Sequence, residues 1–156
     1  MLSKDMAIVL QTSKRRGIDN FQDADTPELH RKWFKALSRL HPNAIQRTEP
    51  SALFNCHGLT FASRRTKVLD SRNISRVITD DCWNEIDLQK ILPGDIVIYY
   101  DDSGDANHSG IIVQYSSETL VPLVCSKWGY AGEYLHRVND VPQFYGPIMK
   151  FFRCCL

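Results

Sequence analysis

Two neighbouring stretches decide the fold: Pro93-Gly94-Asp95-Ile96-Val97-Ile98-Tyr99-Tyr100 and His108-Ser109-Gly110-Ile111-Ile112-Val113. Both are rich in β-branched and aromatic residues, the composition of strands. Leu92-Pro93-Gly94-Asp95 is a turn that feeds the first, and Asp101-Asp102-Ser103-Gly104-Asp105 is a hairpin connection to the second. Downstream, a turn at 116–119 leads to a strand at 120–126. Gly129 and Gly132 bracket another turn before Tyr134-Leu135-His136, and the apolar run 148–152 follows Tyr145-Gly146-Pro147. These runs predict an antiparallel sheet of about five strands.

Upstream, the pattern is helical. Thr26-Pro27-Glu28 supplies a hydroxyl cap, a proline at the first helical position and an acid in the first turn. Leu29, Trp33, Phe34, Leu37 and Leu40 then recur at three- and four-residue spacing, and His41-Pro42-Asn43 stops the helix. His30 and His41, which flank it, read as surface or capping residues. A second helix is expected over 55–66, with Leu59, Ala62 and Val68 able to face the core. Residues 1–25 read as a short helix or strand at most, 70–79 as a loop with an apolar patch, and 80–86 as a helical turn. Helices first and then strands joined by short turns give an α+β fold. The organisation expected is a single domain over 1–156, with a helical extension at 1–49 and the core at 50–156.

The 156 residues suffice for a core without staples, and 43% hydrophobic with 24% charged residues excludes a disordered chain. A net charge of +1 provides no global field for nucleic acid or a membrane surface, so neither partner is expected. The five cysteines, at 56, 82, 125, 154 and 155, show no CxxC spacing, which fits neither a disulfide framework nor a zinc finger. Residues 1–10 lack a signal-peptide core, and no apolar run reaches membrane-spanning length. Cys154-Cys155-Leu156 is not a prenylation box. The expected location is the cytoplasm, with export by a signal-free route as the other option.

The chemistry centres on Phe54-Asn55-Cys56-His57-Gly58-Leu59-Thr60-Phe61. Asn55 is a capping residue type, which places Cys56 at a helix start beside unpaired backbone N–H groups and the positive end of the dipole. Both favour thiolate, the nucleophilic form. His108 opens the later strand, and a cysteine with a histidine is the minimum equipment for thiol catalysis. Gly58 in the first helical turn costs about 1 kcal/mol against alanine. Such a residue either admits a substrate backbone close to Cys56 or simply marks a frayed turn. His57 points away from Cys56 around the helix, toward substrate or the surface.

The order of these parts, Asn-Cys-His-Gly, then Pro-Gly-Asp-Ile-Val, then His-Ser-Gly-Ile-Ile, resembles the NlpC and CHAP group of papain-like cysteine peptidases and amidases. The region 50–126 carries the resemblance. It implies Cys56 as nucleophile and His108 as general base and later general acid. It also implies an oxyanion hole using the Cys56 N–H, and a third polar group that fixes the His108 ring. In that group the third residue lies on the strand after the histidine, where Val124-Cys125-Ser126-Lys127-Trp128-Gly129 holds no Asn, Asp, Glu or His. His136 and Ser126 are the candidates, His136 ahead. Asn55, His57, Gly58 and Trp128 are the substrate-side candidates.

The function expected is hydrolysis of an amide or isopeptide bond in a peptide, a protein or a peptidoglycan-like substrate, without a cofactor or metal. Three other readings remain. One is an acyltransferase or thioesterase using the same Cys–His pair, and another is an inactive binding or immunity-type module with a partner protein. The last is zinc held by Cys56, His57, His108 and His136, although these include no pair spaced for one metal face.

Overall fold

The computed structural model describes residues 6–23, 28–116, 118 and 120–155. The two deciding stretches form β3 (Ile96–Tyr100) and β4 (Ala106–Gln114), an antiparallel pair with Val97 opposite Gly110 and Tyr99 opposite His108. β5 (Leu123–Lys127) and β6 (Glu133–Arg137) extend the sheet on one side, and β7 (Ile148–Cys154) pairs with β3 on the other. Two further strands close the edges, β1 (Ile45–Gln46) against β6 and β2 (Trp83–Ile86) against β7. The fold is α+β with one open antiparallel sheet in the order β1-β6-β5-β4-β3-β7-β2.

Seven strands therefore replace about five. Both additions are edge strands whose sequences carry no strand signal. Trp83-Asn84-Glu85-Ile86 extends because β7 offers it a ladder (Trp83 opposite Cys154, Ile86 opposite Phe151), and that pairing overrides local preference.

The helices are α1 (Glu28–Leu40), α2 (Cys56–Phe61) and α3 (Ser71–Asp80). The expected cap at Thr26-Pro27 and the side chains of Leu29 and Phe34 lie outside the described residues. Leu37 is buried in the core, whereas Trp33 and Leu40 are exposed. α2 ends well before residue 66, because Ser63 and Arg64 take left-handed backbone angles (φ 49° and 64°) that turn the chain. α3 occupies the expected loop at 70–79. Asp70 caps it by accepting from the Arg72 N–H at 2.8 Å, and Ile74 and Val77 bury its inner face.

Cross-strand partners share a face of the sheet. Ile96, Ile98 and Phe152 face α3, packing with Val68, Ile74 and Val77. Val97, Tyr99, Ile112 and Val124 face the other way, in a cluster with Leu37 of α1, Trp128 and Tyr145. The segment before residue 50 is built into this body rather than appended to it, since Leu37 joins the core and β1 joins the sheet. Among the described residues no helix is long and apolar enough to cross a membrane.

Candidate active site

The β4–β5 ladder begins at Ile111 opposite Cys125, so residues 106–110 of β4 pair with β3 alone. α2 packs on both β4 and β5 beside this opening. Its start is pinned from two directions. Asn55 Oδ1 accepts from the Gly58 N–H at 2.9 Å and the Val68 N–H at 3.1 Å, while its Nδ2 donates to the Val68 carbonyl at 2.7 Å. From the sheet side, the His57 ring meets the Ala106 carbonyl at 3.1 Å (Nε2) and Ser109 Oγ at 2.8 Å (Nδ1).

Cys56 is the first residue of α2 and is buried. Its thiol lies toward the backbone N–H groups of Ser109 and His57, and within electrostatic reach of Lys127 and Tyr145. Burial nevertheless dominates and pushes the thiol up to about 11. A six-residue helix start does not by itself ionise a thiol deprived of water. The activation expected from the helix start is thus absent in this closed arrangement.

His108 is fully buried on the face opposite α2. Its ring is stacked on Tyr145, with centroids 3.7 Å apart, and lies 5.3 Å from the ring of Tyr99. Burial drives its pKa well below the usual histidine value, with His136 and His57 adding to the effect. Both ring nitrogens are buried without a hydrogen-bond partner. The resting pair is therefore a neutral thiol and a neutral imidazole, with no hydrogen bond between them.

The two candidates for a third residue bind each other instead of His108. His136 Nδ1 donates to the Arg137 carbonyl at 2.8 Å, which leaves Nε2 to accept from Ser126 Oγ at 2.7 Å. Ser126 Oγ in turn accepts from Trp128 Nε1 at 3.0 Å. Burial lowers the His136 pKa to about 4, consistent with this neutral tautomer. His136 and Ser126 share the face of His108 but do not orient its ring.

The substrate-side expectations change as well. His57 is buried and bonded, not surface-facing. The Asn55 amide is engaged within the chain. Gly58 is buried against the chain itself, since a Cβ there would stand 1.8 Å from the Thr66 carbonyl oxygen. Its missing side chain thus admits residue 66, leaving no room for a substrate. Trp128 is fully buried and stacked on Tyr134 at 4.3 Å. Of the flanking histidines, His30 stacks on Tyr130 at 4.2 Å and His41 contacts Asp140 at 2.8 Å.

Three residues gain a role that sequence reasoning did not give them. Ser109 binds both His57 and Thr60 (Oγ to Oγ1, 2.9 Å) and turns its amide toward Cys56. Tyr145 covers His108, and Lys127 lies buried near Cys56. Ser109 stood inside the quoted motif, and its alternation with His108 on a strand was the available signal; Tyr145 and Lys127 carried none. Among the described residues no group of three or more His, Cys, Asp or Glu is placed to hold a metal ion.

No protein-family model, curated protein or solved structure matches this chain.

Proposed function

We propose that the chain is a thiol-dependent hydrolase of amide-type bonds on a papain-like core related to the NlpC and CHAP group, with Cys56 as nucleophile and His108 as base. The observation that carries this reading is the unpartnered His108 ring. Buried polar groups are nearly always bonded, and His57 and His136 both are. His108 alone of these three keeps both nitrogens free beneath a stacked tyrosine that lies near Cys56.

Displacement of Tyr145 lets the imidazole meet the thiol. Sγ attacks the acyl carbon, and the thiol proton passes through His108 to the leaving amine as the C–N bond breaks. Water then adds to the thioester with His108 taking its proton, and the C–S bond breaks to release the acid and restore the thiol. The Cys56 N–H at the start of α2 stabilises the oxyanion. The substrate classes remain a peptide, a protein or a peptidoglycan-like amide, and the cytoplasm is the proposed location. Resolution of the same acyl-Cys56 by an amine gives the acyltransferase variant.

p-Nitrophenyl acetate supplies the test. Intact-mass analysis is expected to find one acetyl group on Cys56 during turnover, and none in Cys56→Ala. His108→Ala is expected to retain the adduct, with deacylation slowed about 10²–10⁴-fold. Occlusion of the pair and the lack of a group orienting His108 favour a second reading, an inactive binding module. Absence of any Cys56 adduct even at high reagent supports that reading and removes the hydrolase.

A further inference from the structure

Lys127, the last residue of β5, is fully buried. Its Nζ donates to the carbonyls of Ser51 at 2.7 Å and Gly129 at 2.6 Å, and lies 5.0 Å from the centroid of the Phe54 ring. An ammonium has three donors, so two carbonyls leave one N–H over. They also leave a whole charge uncompensated, and an unpaired buried charge is strongly unfavourable.

The obvious counter-ion is diverted. Glu133 stands directly opposite Lys127 in the β5–β6 register, on the same face. Arg64 grips that carboxylate with two bonds, Nε to Oε1 at 2.6 Å and a terminal nitrogen to Oε2 at 3.1 Å, while the Cys125 thiol approaches Oε2 at 3.8 Å. Among the described residues no carboxylate forms an ion pair with Lys127. Ser51 and Phe54, which it touches, belong to the segment that delivers Cys56 to the start of α2.

We propose that Lys127 is the counter-charge of Cys56: the reactive form of the site is a buried thiolate–ammonium pair, set by Lys127 and not by His108. His108 still takes the thiol proton as this pair forms and hands it to the leaving amine, while Lys127 holds the charge left on sulfur. Burial opposes the pair at both groups, while the direct coupling between them favours it. Around Lys127, burial and Lys67 lower the ammonium to about 8, while Cys56 and Glu133 pull it upward. Around Cys56, Lys127 and the Ser109 and His57 amides oppose burial, and its other titratable neighbours are Tyr145 and the neutral His57. Lys127 is a positioning residue here, because it acts through the charge on Cys56. The consequence for catalysis rests on the hydrolase reading, whereas the charge coupling is measurable without a substrate.

Ultraviolet thiolate absorbance across pH, taken as the difference between each protein and its Cys56→Ala counterpart, isolates the titration of Cys56. Lys127→Met is expected to raise that midpoint by about one unit or more, and His108→Ala to leave it in place. An unmoved midpoint in Lys127→Met, or a rise found only in His108→Ala, overturns the inference. A reciprocal measurement covers the case in which Lys127→Met does not fold. By linkage, the carbon-13 signal of Lys127 Cε should titrate at lower pH in Cys56→Ala than in wild type, and equal midpoints overturn the inference. Coupling without an acetyl-Cys56 adduct keeps this inference and removes the hydrolase; an adduct without coupling does the reverse.

Discussion

Tyr145 lies flat on His108, with ring planes 9° from parallel and centroids 3.7 Å apart. It belongs to a single 3₁₀ turn, Gln143–Tyr145, whose neighbour Phe144 is exposed and leans on Trp33 of α1 at 5.9 Å. A short turn held by aromatic contacts separates more readily than a strand ladder. On the proposed mechanism it is the element whose displacement uncovers Cys56 and His108.

Tyr145→Ala should accordingly expose Cys56. Alkylation by iodoacetamide, followed by mass mapping, is expected to accelerate at Cys56 by about tenfold or more, at the unfolding equilibrium expected of a buried aromatic lost, about 3–5 kcal/mol lower. Tyr145→Phe keeps the stack and should label as slowly as wild type. Equal rates in Tyr145→Ala and wild type would show that another element occludes the thiol.

The buried histidines make stability fall in mild acid. His57 and His136 have pKa values lowered to about 4, and His108 is held well below the ordinary histidine value, all chiefly by burial. The unfolded chain protonates its histidines near the ordinary value, so between about pH 6.5 and 4 it binds more protons than the native state. Stability contributed by the neutral rings is complete above pH 6.5 and is lost as pH falls toward 4, by about 3 kcal/mol each for His57 and His136. Urea unfolding at pH 7.5 and 4.5 checks this. A midpoint that does not drop would mean that these rings are charged in the native state.

Local sequence revealed the strands that are apolar on their own account. β3 matches its expected span, and β4, β6 and β7 lie within two residues of theirs, because their residues alternate or run apolar between clear turns. β2 and α3 were not legible. Trp83 to Ile86 extends only because β7 is beside it, and α3 depends on the Asp70 cap plus an inner face completed by Val68 and Phe152. The motif order pointed to Cys56 and His108 as a pair, whereas the structure sets His108 on the sheet face opposite α2, stacked on Tyr145 and with no hydrogen bond to Cys56. Their charge states were not legible, because burial decides them, and burial is a property of the closed fold. The roles given to Asn55, His57 and Gly58 changed for a related reason: each is consumed by holding the helix start in place.

Asn55 therefore joins stability to reactivity. Removing its side chain in Asn55→Ala deletes the α2 cap and leaves both the N–H and the carbonyl of Val68 without their partner. A lost cap and orphaned buried groups together cost about 2–4 kcal/mol. Chemical denaturation should read that loss. Acetylation of Cys56 should fall as well, since the helix start no longer holds the thiol beside Ser109. Full stability with unchanged acetylation would remove Asn55 from both roles.

Gly58 and Gly17 form a matched pair of tests. A Cβ at Gly58 would meet the Thr66 carbonyl oxygen at 1.8 Å and its carbon at 3.0 Å, whereas one at Gly17 would meet nothing within 4 Å. The obstacle at residue 58 is backbone, and it is anchored: Thr66 Oγ1 donates to Asn20 Oδ1 at 2.8 Å, and the Asn55 amide holds the next turn at Val68. Neither side yields without moving α2 or the 62–68 turn. Gly58→Ala is thus expected to cost about 3 kcal/mol or more, at or beyond the upper end for overpacked sites. It should also displace Cys56 from Ser109 and suppress acetylation in whatever fraction folds. Gly17→Ala should leave the unfolding free energy unchanged or raise it by up to about 1 kcal/mol, through the lower entropy of its unfolded chain. If Gly58→Ala instead folds as stably as Gly17→Ala, the close crossing of residue 66 over α2 is absent, and with it the reason for a glycine two residues after Cys56.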